Sequence, residues 1–247
     1  MKYIYKIIFF LIDIILPPKC EKCRSIVEIN GSLCEKCWGS LIFIDEPLCQ
    51  KCGYPFSFSI SPDALKICTN CINNENNFDM ARSVCKYEGL AKDMVIALKF
   101  NDDTKKVLFI SNIIGSKFQS ILRKPNTIII PVPMDKKSLV KRMFNQTALI
   151  AKRISKKYNI PYHPFLIQKI RSTSKQITLD REKRAKNLKN SFRLNSKKIS
   201  KIKDIQNIII IDDVFTTGAT FNEITRTIKK SLPDIQVICL SFARTIL

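Results

Sequence analysis

The stretch Ile208–Thr220, IIIIDDVFTTGAT, decides the fold. Four β-branched apolar residues in a row, with no polar alternation, mark a strand covered on both faces. The strand runs straight into two adjacent carboxylates, Asp212 and Asp213, and then into Thr216, Thr217, Gly218, Ala219 and Thr220, ahead of the helical pattern FNEITRTIKKSL. Like charges side by side repel, so their placement here needs a use. Ligands of open α/β sheets sit beyond the carboxyl ends of the strands. Loop N–H groups and hydroxyls that open a helix N-terminus form a cradle for one phosphate. Two carboxylates beside the cradle accept hydrogen bonds from two sugar hydroxyls. A phosphate next to a diol is ribose 5-phosphate.

Other uses of such a strand are excluded by the glycines. A Walker B strand needs a GxxxxGK[ST] loop elsewhere, and a dinucleotide site of the common type needs GxGxxG. Gly31, Gly39, Gly53, Gly89, Gly115 and Gly218 supply neither.

Outward from this stretch, EGLAKDMVIALKFN, TKKVLFISNIIGSKFQSIL and NQTALIAKRISKKY read as helices, and NTIIIPVP, QNIIIID and IQVICLSF as strands. PYHPFLIQKI reads as strand or loop, and its His163, the one histidine, as a packing residue. Ile/Val runs alternating with helices give an α/β domain around a mostly parallel sheet. It is expected over residues 80–247.

The preceding segment is of another kind. Eight of the ten cysteines form CxxC units: Cys20/Cys23, Cys34/Cys37, Cys49/Cys52 and Cys68/Cys71. Each unit aims two thiolates at one tetrahedral position, and two units complete a Cys₄ zinc site. Four units imply two structural zincs in a double ribbon over residues 19–79, with sequential or crossed pairing both open. A disulfide framework is the alternative, but no signal peptide accompanies it. Cys85 and Cys239 read as buried small hydrophobes, and Gly53 as a left-handed turn.

The N-terminal MKYIYKIIFFLIDIILPP is too short in its apolar run to span a bilayer. Residues 1–18 are expected to form an apolar helix that docks on the chain's own core or lies in a membrane interface. Formal net charge is +21 over 247 residues. Residues 1–79 carry 8 Lys/Arg and 9 Asp/Glu, whereas residues 80–247 carry 34 and 12, a net +22. Lys169–Lys203 alone holds 13 basic residues against two acids, with Phe192 as its one aromatic. This uneven distribution suggests a polyanionic partner.

Ile208–Thr220 resembles the loop of type I phosphoribosyltransferases that binds 5-phosphoribosyl 1-pyrophosphate (PRPP). The resemblance implies that Asp212 and Asp213 take the ribose hydroxyls, that Thr216, Thr217, Gly218, Ala219 and Thr220 hold the 5-phosphate, and that Mg²⁺ accompanies PRPP. PVPMDKKSLVKRMFNQ (Pro131–Gln146) and STSKQITLDREKRAKNLKNSF (Ser172–Phe192) are similar to segments of the ComF family. With the cysteine ribbons, nearly the whole chain resembles that family, whose members are associated with single-stranded DNA uptake in natural transformation. Met143 stands where the family usually has glycine.

The implied fold is an N-terminal Cys₄ double zinc ribbon on a type I phosphoribosyltransferase-like α/β domain. On the pyrophosphate side stand Val132, Pro133, Lys136, Lys137 and Arg142. Arg171, Lys175 and Gln176 lie in a polar segment suited to a lid. Lys183, Lys186, Lys189 and Arg193 are the expected contacts to single-stranded DNA. Two functional readings follow. One is a cytoplasmic DNA-uptake protein that binds PRPP and single-stranded DNA at the inner membrane face, beside the uptake machinery. The other is a phosphoribosyltransferase acting on an unidentified acceptor. Nothing in the residues singles out a catalytic group.

Overall fold

The computed structural model describes residues 16–57, 66–100, 103–171 and 187–246. Residues 1–15 of the expected N-terminal helix, Lys175, Gln176, Lys183 and Lys186 lie outside the described residues, and residues 16–18, which are described, are not helical. Two short helices, α1 (Glu35–Trp38) and α2 (Thr69–Asn73), run through the second and fourth knuckles, with Cys34 and Cys68 at their caps. The α/β part then runs β1 (Met80–Lys86), α3 (Gly89–Phe100), α4 (Lys106–Lys117), α5 (Gln119–Leu122), β2 (Thr127–Pro131), α6 (Lys136–Arg142) and α7 (Gln146–Tyr158). It continues with β3 (Ile167–Lys169), β4 (Phe192–Leu194), α8 (Ser196–Ile199), β5 (Asn207–Phe215), α9 (Ala219–Lys229) and β6 (Gln236–Arg244).

Four strands form a parallel sheet in the order β1-β6-β5-β2. Successive strand side chains face opposite ways, and the isoleucine run exploits this. Ile209 and Ile211 pack on the face covered by α3, α4 and α7, together with Ile129, Ile238 and Leu240. Ile208 and Ile210 pack on the other, with Ile128, Ile130, Val237 and the α9 residues Phe221, Ile224 and Ile228. The antiparallel pair β3/β4 joins that second face through Ile167 and Phe192. Cys85 and Cys239 are fully buried in the sheet, as expected of small hydrophobes.

Both sheet edges are covered. Along β2, residues 161–163 run parallel to it: Ile129 N donates to Pro161 O (2.9 Å) and His163 N to Ile129 O (3.0 Å). His163, half-buried, takes part in this edge through its backbone. Along β1, the ribbon segment supplies hydrogen bonds from Ile44 N to Val84 O (3.0 Å), Lys86 N to Ile42 O (2.8 Å) and Ala81 N to Lys51 O (2.8 Å). An edge left bare would present unpaired donors and acceptors to other chains. The ribbon straddles that edge. Cys20 and Cys37 join the core under α3 and α4, whereas Cys49, Cys52 and Cys68 join the core under α9. Gly53 does adopt the left-handed conformation (φ +68°), and a Cβ there would sit 2.6 Å from Ala81 O.

Several features depart from the sequence expectation. The edge strand β1 and helix α6 were not anticipated, and the long helix after Thr104 breaks at Phe118 (φ −114°, ψ 29°) into α4 and α5. Strand β5 also runs past the carboxylates to Phe215, pairing with β6 as far as Arg244.

Candidate functional site

Asp212 and Asp213 follow the buried isoleucines of β5, and the pleat sends their side chains to opposite faces. Asp213 continues the Ile209/Ile211 face and is buried (3% exposed). Its Oδ1 lies 2.8 Å from Lys99 Nζ, and its Oδ2 accepts from Gln146 Nε2 at 3.0 Å. Lys99 comes from the last turn of α3, one turn beyond the buried Ala91 and Val95. Burial pulls the Lys99 ammonium pKa down, but the Asp213 charge outweighs this and holds it raised. Gln146 is the first residue of α7, whose cap Asn145 accepts from Thr147 N (3.1 Å) and Ala148 N (3.4 Å). Asn145 Nδ2 and Thr147 Oγ1 both donate to Val132 O, at 3.1 and 2.8 Å. The FNQ stretch therefore fastens the start of α7 to the end of β2 and holds Asp213 from there.

Asp212 is partly exposed and lines a cleft of ≈ 170 Å³ with Val132, Pro133, Asp135, Arg142 and Lys169. Its Oδ1 accepts from Asp213 N at 2.9 Å. Desolvation, and next the Asp213 charge, push its carboxyl up to about 8. Asp135 caps α6, with Oδ1 accepting from Ser138 N and Oδ2 from Ser138 Oγ, both at 2.9 Å. Burial would raise Asp135, yet these bonds and Lys169 hold it below the usual carboxylate value. A larger cleft of ≈ 520 Å³ lies at the amino end of β2, lined by Lys124–Ile128 and Ile202–Ile205, away from the carboxylates.

Beyond β5 comes the threonine–glycine turn. Gly218 is left-handed (φ +79°) and starts the eleven-residue α9; a Cβ there would sit 2.8 Å from Phe215 Cζ. Thr216 is exposed, Thr217, Ala219 and Thr220 are half-buried, and Ala219 N donates to Thr217 Oγ1 at 3.4 Å. The backbone donors of this helix start follow Asp212 closely in the chain, although none of Thr216–Thr220 is among the residues lining the Asp212 cleft.

Of the residues assigned to the pyrophosphate side, Val132, Pro133 and Arg142 line the Asp212 cleft. Lys136 and Lys137 are exposed on the first turn of α6 and are not among its lining residues. Met143 ends α6 in the left-handed region (φ 61°), 84% exposed, so the turn expected of glycine is kept with a methionine in it. Arg171 Nη2 donates to Asn187 O (3.0 Å) and Lys189 O (3.2 Å). Lys189 and Arg193 are exposed. Phe192, by contrast, is buried (6% exposed) and offers no stacking surface. Aromatic surface near basic groups comes from elsewhere: Phe165 (61% exposed) has Lys198 Nζ 4.7 Å from its ring centroid, and Phe100 (66%) has the Arg142 guanidinium at 5.3 Å.

The eight knuckle thiols fall into two groups, Cys20/Cys23/Cys34/Cys37 and Cys49/Cys52/Cys68/Cys71, each with its sulfurs within 4.8 Å of one another. The pairing is therefore sequential. A tetrahedral Zn–S₄ centre has sulfurs about 3.8 Å apart, and Cys23–Cys34 and Cys52–Cys68 both stand at 3.6 Å. Both groups fit structural zinc, with all four ligand positions filled by protein.

Two of these expected features also meet known proteins. Residues 11–72 match the family model described as a double zinc ribbon domain. The chain is 28% identical over 227 residues to "Competence protein F" of Haemophilus influenzae, covering 89% of this chain and 94% of that protein. It is 27% identical over 201 residues to "Competence protein ComFC" of Bacillus subtilis, covering 80% and 78%. To "DNA utilization protein YhgH" of Escherichia coli K12 it is 25% identical over 232 residues, covering 91% and 97%. The resemblance drawn from the motifs thus extends over most of the chain.

Proposed function

We propose that this ComF-like chain, a double zinc ribbon on a phosphoribosyltransferase-like sheet, serves DNA uptake by binding Mg²⁺–PRPP beyond β5 and single-stranded DNA on its basic surface. One observation carries the PRPP half: Asp212, the β2–α6 loop and the start of α7 meet in one cleft, and the chain runs on from Asp212 to the left-handed Gly218 that opens α9. In this reading Asp212 receives one ribose hydroxyl from the cleft, and Asp213 receives the other by giving up Lys99 or Gln146, which hold its two oxygens in the ligand-free fold. Residues Thr216–Thr220 bind the 5-phosphate by their amides and hydroxyls, and the Val132–Asp135 backbone with Arg142 faces the pyrophosphate. Mg²⁺ bound with the ligand would supply charge to the pyrophosphate, and Asp212, which lines the cleft, would help to hold it. Lys99 and Gln146 orient Asp213 and keep its charge tolerable inside the fold.

The DNA half rests on the names of the relatives and on charge. Residues 80–247 carry the entire excess of positive charge, and backbone phosphates bound by Lys and Arg release counterions. Lys189 and Arg193, with Lys183 and Lys186, are the proposed phosphate contacts; Phe165 and Phe100 offer faces for base stacking beside a cation. Such a protein works at the cytoplasmic face of the membrane, beside the uptake machinery. Among the described residues no helix is long and apolar enough to cross a membrane.

Calorimetric titration of the two-zinc protein with Mg²⁺–PRPP, repeated with a single-stranded oligonucleotide present, tests both halves. Binding lost in Asp212→Asn, and a DNA affinity that falls with log K dropping by ~0.7 per phosphate contact as log salt rises, are the expected results. Undiminished PRPP affinity in a folded Asp212→Asn protein refutes the site. Salt-independent or absent DNA binding refutes the basic surface. A second reading, transfer of ribose 5-phosphate to an acceptor, is favoured by the same open cleft beside Asp212; it predicts pyrophosphate release when an acceptor is supplied.

A further inference from the structure

The buried guanidinium of Arg244 lies between the second cysteine cluster and the turn that precedes α9. Arg244 is the last residue of β6 and is 4% exposed. Its Nη1 donates to the carbonyl of Cys52, and its Nη2 lies 3.5 Å from Cys52 Sγ. Its guanidinium carbon stands 4.4 Å from the ring centroid of Phe215 and 5.3 Å from that of Tyr54. Among the described residues no carboxylate forms an ion pair with it. A buried cation without a counter-charge is costly. With zinc bound, four thiolates and one divalent cation give the cluster a net charge of about −2, which supplies that counter-charge through Cys52.

Phe215 carries the connection onward. Its ring lies directly under Gly218, where a Cβ would come within 2.8 Å of Cζ, and packs against Phe221 of α9 (centroids 5.7 Å apart). Phe78, in the linker between ribbon and sheet, meets the same ring edge-on at 6.3 Å. The segment after the last knuckle holds α9 from the side as well: Asn222 Oδ1 accepts from Asn77 Nδ2 at 3.1 Å, and Asn222 Nδ2 donates to Glu75 O at 3.3 Å. The first cluster stands on the opposite face of the sheet. It is tied to α4 by Lys106, whose Nζ lies 3.0 Å from Glu21 Oε2 and 3.1 Å from Asp103 Oδ2.

We propose that Arg244 is a positioning residue through which the second cysteine cluster, Cys49/Cys52/Cys68/Cys71, sets the geometry of the Thr216–Thr220 turn, so that zinc in this cluster and phosphate at the turn are linked. Outer partners of metal ligands commonly tune metal affinity, and linkage is reciprocal: whatever factor zinc adds to phosphate affinity, phosphate adds to zinc affinity at this cluster. The first cluster, on the far face, has no part in it. The inference rests on the reading of Thr216–Thr220 as a phosphate turn, but its physical content, a turn held by a guanidinium on a thiolate, is separable from the ligand.

The test uses the full chain with zinc content measured in every variant. In Arg244→Met with two zincs retained, amide hydrogen exchange over residues 216–222 should rise by about tenfold, within the usual range of site-to-site coupling. Exchange in β2 should stay unchanged. Mg²⁺–PRPP affinity should fall by a similar factor, and the ligand should no longer strengthen second-cluster zinc against a zinc-selective chelator. Lys106→Met, which breaks the buried pair under the first cluster, should leave exchange at 216–222 alone. If Arg244→Met does not fold, Arg244→Lys, which keeps the charge but not the planar fork, carries the same comparison with a smaller change. Unchanged exchange at 216–222 in either folded variant overturns the proposal. Faster exchange in a protein whose wild type binds no PRPP leaves the coupling standing and removes the ligand assignment instead.

Discussion

Replacing Met143 by glycine should stabilise the protein, although it deletes a side chain. Met143 ends α6 at φ 61°, where an L residue with a Cβ is strained by about 1–2 kcal/mol. Glycine removes that strain but gives back ~0.5–1 kcal/mol because its unfolded chain has more freedom to lose. The thioether itself contributes little, being 84% exposed. The net gain is about 0.5–1 kcal/mol, or ~1–4 °C in Tm for a chain of this size. Urea unfolding of zinc-loaded wild type, Met143→Gly and Met143→Ala, followed by fluorescence, measures it. Alanine keeps the Cβ and the strain, so it should not share the gain. If alanine stabilises as much as glycine, or glycine destabilises, the backbone argument fails and the side chain must be doing something that its exposure conceals.

Purified protein should hold two zincs per chain by elemental analysis, because the eight thiols form two closed groups; a ratio of one would refute the second site. Lys99→Met should cost about 2–3 kcal/mol, somewhat under the ~3–5 kcal/mol of a fully buried pair because Lys99 keeps some solvent contact. Part of that loss should return in Lys99→Met/Asp213→Asn, since the second change removes the stranded charge; a double variant as unstable as the sum of both singles would argue that the pair is not coupled. Because the Asp212 carboxyl is raised to about 8, its proton must leave before it can act as a carboxylate. Mg²⁺–PRPP affinity should therefore rise with pH towards 8, approaching tenfold per unit, and level off above it. By the same linkage this group favours the ligand-free fold fully below the unfolded carboxyl pKa, and that contribution is lost as pH rises towards 8. A pH-independent affinity between 6 and 8 would show Asp212 ionised throughout.

The parts of the fold that were legible are those where one residue type repeats against a single physical demand. Ile208–Ile211 announces a doubly covered strand because only such a strand tolerates four apolar residues in a row, and all four are fully buried. CxxC spacing announced the metal clusters for a similar reason, although only the folded chain decides that the pairing is sequential. Strand β1 escaped notice because MARSVCK alternates polar and apolar residues unevenly: its Ser83 is buried, bonded to Ser241 Oγ at 2.7 Å. Lys99 was missed for want of a contact map, yet a signal existed. Ala91, Val95 and Lys99 stand at helical spacing on the buried side of α3, and a lysine on such a stripe needs an anion. Stacking surface cannot be read from the basic run because exposure is a tertiary property: Phe192 lies within the run but is buried, whereas Phe165 and Phe100 lie outside it and are exposed.

The adjacency of Asp212 and Asp213 now has a physical account that their positions in the chain conceal. In sequence they are neighbours and should repel. On a strand, neighbours set out towards opposite faces, yet the Asp213 charge still presses on Asp212 and Lys99 offsets it only in part. Asp213 faces the helical layer, where Lys99 and Gln146 take one oxygen each, and its charge is matched inside the fold. Asp212 faces the cleft, has no cation of its own at ion-pair distance among the described residues, and is pushed towards its protonated form. One member of the pair is thus satisfied by the protein and the other is left wanting a partner in the cleft. A cation and a hydroxyl arriving together with an anionic sugar phosphate would relieve it, and under the proposed function the amides at the start of α9 would take the phosphate.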